Sequence, residues 1–82
     1  MSAFAKLTPF RAGILRLAEA EGAISASDVA RDCGRSQVKR AAIKQLKALH
    51  ELGLLTPMRI CEYRLTAAGQ MWLDNQRSLE SQ

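Results

Sequence analysis

The chain has 82 residues, of which 48% are apolar and 24% charged, with a net charge of +4 and two cysteines. That suffices for one small globular domain with a modest core, and the balance of apolar to charged residues excludes a disordered chain. No run of about 18 apolar residues occurs, so no membrane span is expected. Two cysteines are too few for a disulfide scaffold, which points to a cytoplasmic protein with free thiols.

Residues 1–7 read as an N-terminal arm without the apolar segment of a secretory signal. Thr8-Pro9 then opens a first helix. The Thr hydroxyl can accept from a free N–H of the first turn, and Pro at the first helical position forfeits no bond. Phe10, Ile14, Leu17 and Ala18 form one apolar stripe, and Gly22 ends the helix. Ala23-Ile24 suits a brief strand. Ser25 and Asp28 form a capping box for a short second helix with Val29, Ala30 and Cys33 inside, stopped by Gly34. Ser36 caps a third helix that runs to about Leu52. Its core stripe is Val38, Ala42, Leu46 and Leu49, with Ile43 beside it. Leu54-Leu55-Thr56 reads as a strand and Pro57-Met58-Arg59 as a turn. The alternation of Cys61, Tyr63 and Leu65 with Glu62 and Arg64 predicts a half-buried strand. Thr66 caps a last helix carrying Ala68, Met71 and Trp72, and the tail at 77–82 is expected to fray.

Charge is concentrated along this order. Residues 1–34 carry Lys6, Arg11, Arg16 and Arg31 against Glu19, Glu21, Asp28 and Asp32. Residues 51–82 carry Arg59, Arg64 and Arg77 against Glu51, Glu62, Asp74 and Glu80. Between them stand Arg35, Lys39, Arg40, Lys44 and Lys47 with no acid, so the net +4 arises in that stretch. On the third helix, Gln37, Arg40, Lys44, Lys47 and Glu51 share one outward stripe, with Lys39 at its edge. A charged helix face is by itself most often a solvated surface. A face that holds the whole imbalance is also what meets a polyanion.

The ordered set of elements resembles a winged helix-turn-helix domain. The resemblance lies in Asp28-Val29-Ala30 through Gly34, and in a long helix closing on Leu49-His50-Glu51-Leu52-Gly53-Leu54-Leu55. It continues in Tyr63-Arg64-Leu65-Thr66-Ala67-Ala68-Gly69, similar to a second wing strand entering a last helix. It spans about residues 8–74 and is nearest to small stand-alone bacterial or phage regulators. The fold it implies is mainly α with a small β-hairpin: a three-helix core, a wing and a C-terminal helix in a single domain. The function it implies is sequence-specific binding of double-stranded DNA, with the third helix in the major groove, as in a transcriptional regulator.

On that reading Arg35, Ser36, Gln37, Lys39 and Arg40 stand at the start of the recognition helix, where a helix N-terminus also favours phosphate. Gln37 and Arg40 suit base edges, because Gln pairs bidentately with adenine and Arg with guanine. Lys39, Lys44 and Lys47 suit phosphates as flexible point charges, and Arg59 lies near the wing tip. Thr8 and Ser25 are explained by capping, and Arg11 and Arg31 by surface solubility. Phe4, Leu7, Met71, Trp72 and Leu79 either close the core or form the seam of a homodimer. Cys33 and Cys61 read as small buried hydrophobes. With His50 they lack zinc-site spacing, and no cofactor or small-molecule ligand is expected. No nucleophile elbow, phosphate loop or carboxylate pair suggests an enzyme. The alternative is a winged-helix adaptor for an acidic protein, or a phage-type inhibitor of a host protein.

Overall fold

Glycines, caps and apolar spacing divide the chain into the elements that form. The computed structural model describes residues 7–34 and 39–80. In order these are α1 (Pro9–Glu21), β1 (Ile24–Ser25), α2 (Ala26–Cys33), α3 (Lys39–Glu51), β2 (Leu55–Arg59), β3 (Glu62–Leu65) and α4 (Ala67–Glu80). The fold among these residues is mainly helical with a three-stranded antiparallel sheet. None of their helices is long and apolar enough to cross a membrane. The Ser36 cap and Val38 lie outside the described residues.

The caps follow the sequence closely. The Thr8 hydroxyl accepts from the Arg11 N–H at 3.2 Å. At α2 the box is complete: the Ser25 N–H donates to Asp28 Oδ2 at 2.9 Å, and the Asp28 N–H donates back to Ser25 Oγ at 3.4 Å. Gly34 ends α2 at φ +70°, a left-handed conformation that costs glycine little. At α4 one hydroxyl does two jobs. Thr66 Oγ1 accepts from the Gly69 N–H at 3.0 Å and donates to the Gly53 carbonyl at 2.6 Å. The cap of the last helix is thereby tied to the turn that follows α3.

Ile14 and Leu15 from α1, Leu46 and Leu49 from α3, and Leu73 from α4 meet in one core with Leu54 and Leu55. The strands run in the order β1-β3-β2, so β3 is central, with Ile24 opposite Tyr63 and Leu55 opposite Leu65. α2 and α3 pack together on one side, and α4 returns against α1.

Several expectations are corrected. Pro57-Met58-Arg59 is not a turn but the second half of β2, and the turn falls at Ile60-Cys61. The reason is that β2 is an edge strand with a bulge between Pro57 and Arg59. An edge or a bulge tolerates a residue that cannot donate to the ladder. Cys61 is therefore a free, exposed thiol in the turn rather than a small buried hydrophobe. The side chain of Cys33 lies outside the description. Ile43 is 43% exposed among the lysines of α3 instead of flanking the core. The brief strand is shifted by one residue to Ile24–Ser25. α4 stays helical to Glu80 rather than fraying at Arg77, because Arg77 bridges to Glu19 of α1.

Candidate functional site

The buried side of α3 is set by Ala42, Leu46 and Leu49, three and four residues apart, which turn the opposite side outward. Arg40, Lys44 and Lys47 are exposed there, and Lys39, the first residue of the helix, is exposed at the edge of that side. Glu51, at the end of the helix, is its one acid. Among the described residues none of the four cations is ion-paired. By contrast three cations elsewhere are engaged: Arg31 lies 3.3 Å from Asp28, Arg77 bridges to Glu19, and Arg11 donates to Gln45 of α3. Arg11, expected as a plain surface cation, thus ties α1 to α3. Arg35, Ser36 and Gln37 lie outside the described residues.

The first turn of α2, the outer side of α3 and the hairpin turn border an open groove of about 410 Å³. Lys39 and Lys47 line it together with Ile43, Tyr63, Ser27 and Cys61. Tyr63 is held in the sheet opposite Ile24, and its ring is 6.1 Å from that of His50. His50 Nδ1 lies 3.0 Å from the Leu55 carbonyl. A carbonyl can only accept, so that nitrogen carries the proton. The contact fastens the end of α3 to the start of β2. The groove therefore joins α3 to the hairpin through a firmly built edge. A linear reading missed Ile43, Ser27 and Tyr63 here. The outward 3-4 spacing that Lys39 and Ile43 share on α3 was the available signal.

Arg59 is exposed at the end of β2, beside the turn. Its neighbours make this hairpin end apolar: Met58 is 52% exposed and Ile60 94%. Of the seam residues, Trp72 is only 3% exposed and belongs to the core of the monomer, so it has no face to offer a second copy. Leu7 is half-buried against the core, and Phe4 lies outside the described residues. Met71 and Leu79 remain on the outside of α4.

Glu19 has the clearest perturbed ionisation. Hydrogen bonds from Arg77 and Gln70 hold its carboxyl below the usual glutamate value. This group joins α1 to α4 and lies on neither the basic face nor the groove. Among the described residues, no three His, Cys, Asp or Glu side chains are grouped to hold a metal ion. What the basic face offers chemically is fixed positive charge and hydrogen-bond donors beside an apolar groove.

No protein-family model matches the chain, and comparisons with curated proteins and with solved structures give no match.

Proposed function

We propose that this chain is a winged helix-turn-helix domain that binds double-stranded DNA site-specifically, as a small regulator of transcription in the cytoplasm. The observation that carries the reading is the outward side of α3, where Lys39, Arg40, Lys44 and Lys47 stand exposed with no acid before Glu51. The element order and the β1-β3-β2 sheet support it, since they leave α3 with a free face and set a two-stranded hairpin beside it. An α-helix fits the major groove of B-DNA, and its early turns come nearest the bases. On this reading Gln37 and Arg40 read base edges, Arg35 and Ser36 belong to the start of the recognition helix, and Lys39, Lys44 and Lys47 fix register on phosphates. Arg59 joins them from the hairpin. The domain acts as a homodimer that reads two half-sites about 34–36 Å apart. Met71 and Leu79, each 58% exposed on α4, supply its seam.

Titration of Arg40→Ala and Lys44→Ala onto duplex DNA tests the reading. The Lys change weakens binding to all sequences alike, whereas the Arg change costs about 1–3 kcal/mol at one base position. Both variants keep the fold, because both side chains are exposed. Unchanged affinity in both, with the parent bound, moves the site off α3. An adaptor for an acidic protein would instead lose its partner in these variants and show no affinity for the duplex.

A further inference from the structure

Ile60 stands at the tip of the β2–β3 turn with 94% of its surface in water, next to Met58 at 52%. The left-handed position of this turn is taken by Cys61, at φ +64°, so backbone conformation does not select the residue at 60, and an apolar side chain there gains nothing from standing in water. The core does not use it either: Leu54 and Leu55 at the base of β2 close that side of the domain. A large apolar side chain left in water with no gain inside the chain marks a surface used elsewhere.

Its position says where. The next residue, Cys61, lines the groove shared with Lys39 and Lys47 of α3. The hairpin tip and the basic face therefore border the same depression. At its tip the hairpin is electrically balanced, since Arg59 is exposed with Glu62 as its register partner across the turn, while Arg64 lies farther along β3. A balanced tip gains little by lying along phosphates. An apolar tip flanked by one arginine matches a different use, the wedge that partly unstacks a base step from the minor groove.

We infer that Ile60 is such a wedge, and that the domain bends the duplex it binds. The inference rests on the DNA-binding reading above. With α3 in the major groove and Lys39 and Lys47 on the intervening phosphates, the turn meets the neighbouring minor groove. Ile60 enters between base pairs, Met58 covers the sugar wall beside it, and Arg59 follows the narrow groove floor. Wedges of this kind kink DNA by about 20–90°, most easily at TA or CA steps. The protein is thus expected to reshape its site as well as occupy it, and to prefer sites carrying such a flexible step beside the contacted bases.

The experiment uses a duplex of about 30 base pairs, selected by the full-length protein from a random pool and labelled with a fluorophore at each end. Energy transfer reports the bend, and titration over a range of salt reports phosphate contact. The parent is expected to raise transfer on binding. Ile60→Ser keeps the salt slope and loses most of the rise, while Ile60→Leu keeps both. Bound duplex should also slow alkylation of Cys61, followed by mass spectrometry of its peptide. The wedge is overturned if the parent binds without bending, or if Ile60→Ser bends the duplex as the parent does. It is equally overturned if duplex leaves Cys61 alkylation unchanged, or if Ile60→Ser changes the oligomeric state without DNA, which would make the tip a protein contact. If the parent binds no duplex at all, the DNA reading itself fails, a result distinct from binding without a bend.

Discussion

Gly69 and Gly13 receive the same substitution and should respond with opposite sign. A Cβ at Gly69 would lie 2.3 Å from the Leu54 carbonyl oxygen and 2.7 Å from Leu65 Cδ1, where real Cβ contacts under 3.0 Å essentially never occur. The near atom is backbone, so α4 must back away from the start of β2 by about 0.7 Å or more, the gap between those two distances. That movement strains the Thr66 N–H bond to the Leu54 carbonyl, now 3.1 Å, and the Thr66 hydroxyl bond to Gly53, now 2.6 Å. Overpacking costs about 1–3 kcal/mol and each weakened hydrogen bond about 1 kcal/mol, offset by about 1 kcal/mol of improved helix propensity. Gly69→Ala should therefore destabilise by roughly 2–4 kcal/mol, or about 10–30 °C in melting temperature for a domain this small. Gly13, inside α1, has nothing within 4 Å of its would-be Cβ. Gly13→Ala should stabilise by about 0.5–1 kcal/mol. Thermal and urea unfolding of the two variants beside the parent provide the measurement. A Gly69→Ala protein as stable as the parent would refute the docking of α4 on the Leu54 turn.

Acid should weaken the joint between α1 and α4. The folded state holds Glu19 below the ordinary glutamate value of about 4.5, so the unfolded chain takes up that proton first as pH falls. The stabilisation is whole above that value and is lost as pH drops through the lower folded one. Urea midpoints of the parent should therefore fall more steeply as pH drops below about 4.5 than those of Glu19→Gln; parallel curves would show that the contact does not stabilise the fold. For assembly, the double change Met71→Glu with Leu79→Glu should leave a folded monomer by light scattering, with reduced duplex affinity. A parent that is already monomeric at high concentration and binds as one copy per site rules out the α4 seam. Left-handed backbone at the hairpin turn, where Cys61 has φ +64°, gives one more test. Cys61→Val should cost about 1 kcal/mol and Cys61→Gly should not.

The helices were legible because their signals are local. Thr8-Pro9, the Ser25–Asp28 box, Gly22 and Gly34 fix starts and stops within a few residues, and the 3-4 spacing of Ala42, Leu46 and Leu49 fixes the outward side of α3. The hairpin was misread because strand order is not local. Pro57 signals a turn unless its strand is an edge, and only the pairing of β3 between β1 and β2 makes it one. Cys61 was misplaced with it, since moving the turn takes that residue out of the alternating strand. Trp72 was ambiguous because an apolar residue on a terminal helix looks the same whether the core or a partner covers it. The basic residues of α3 were visible from charge alone. The groove they share with Ile43, Ser27 and Tyr63 was not, because it gathers residues from α2, α3 and β3.

The salt dependence of duplex binding by the parent protein tests the central claim most directly. Each phosphate neutralised on B-DNA contributes about 0.9 to the slope of log affinity against log salt. Lys39, Lys44 and Lys47, the exposed phosphate contacts of α3, therefore imply a slope of about −2.7 per bound copy, a loss of roughly 40-fold or more per copy between about 50 and about 200 mM salt. DNA recognition through α3 requires that slope, its reduction by about 1 per bound copy in Lys44→Ala, and binding that persists in excess polyglutamate. A flat salt response, or a duplex displaced by polyglutamate, would contradict it.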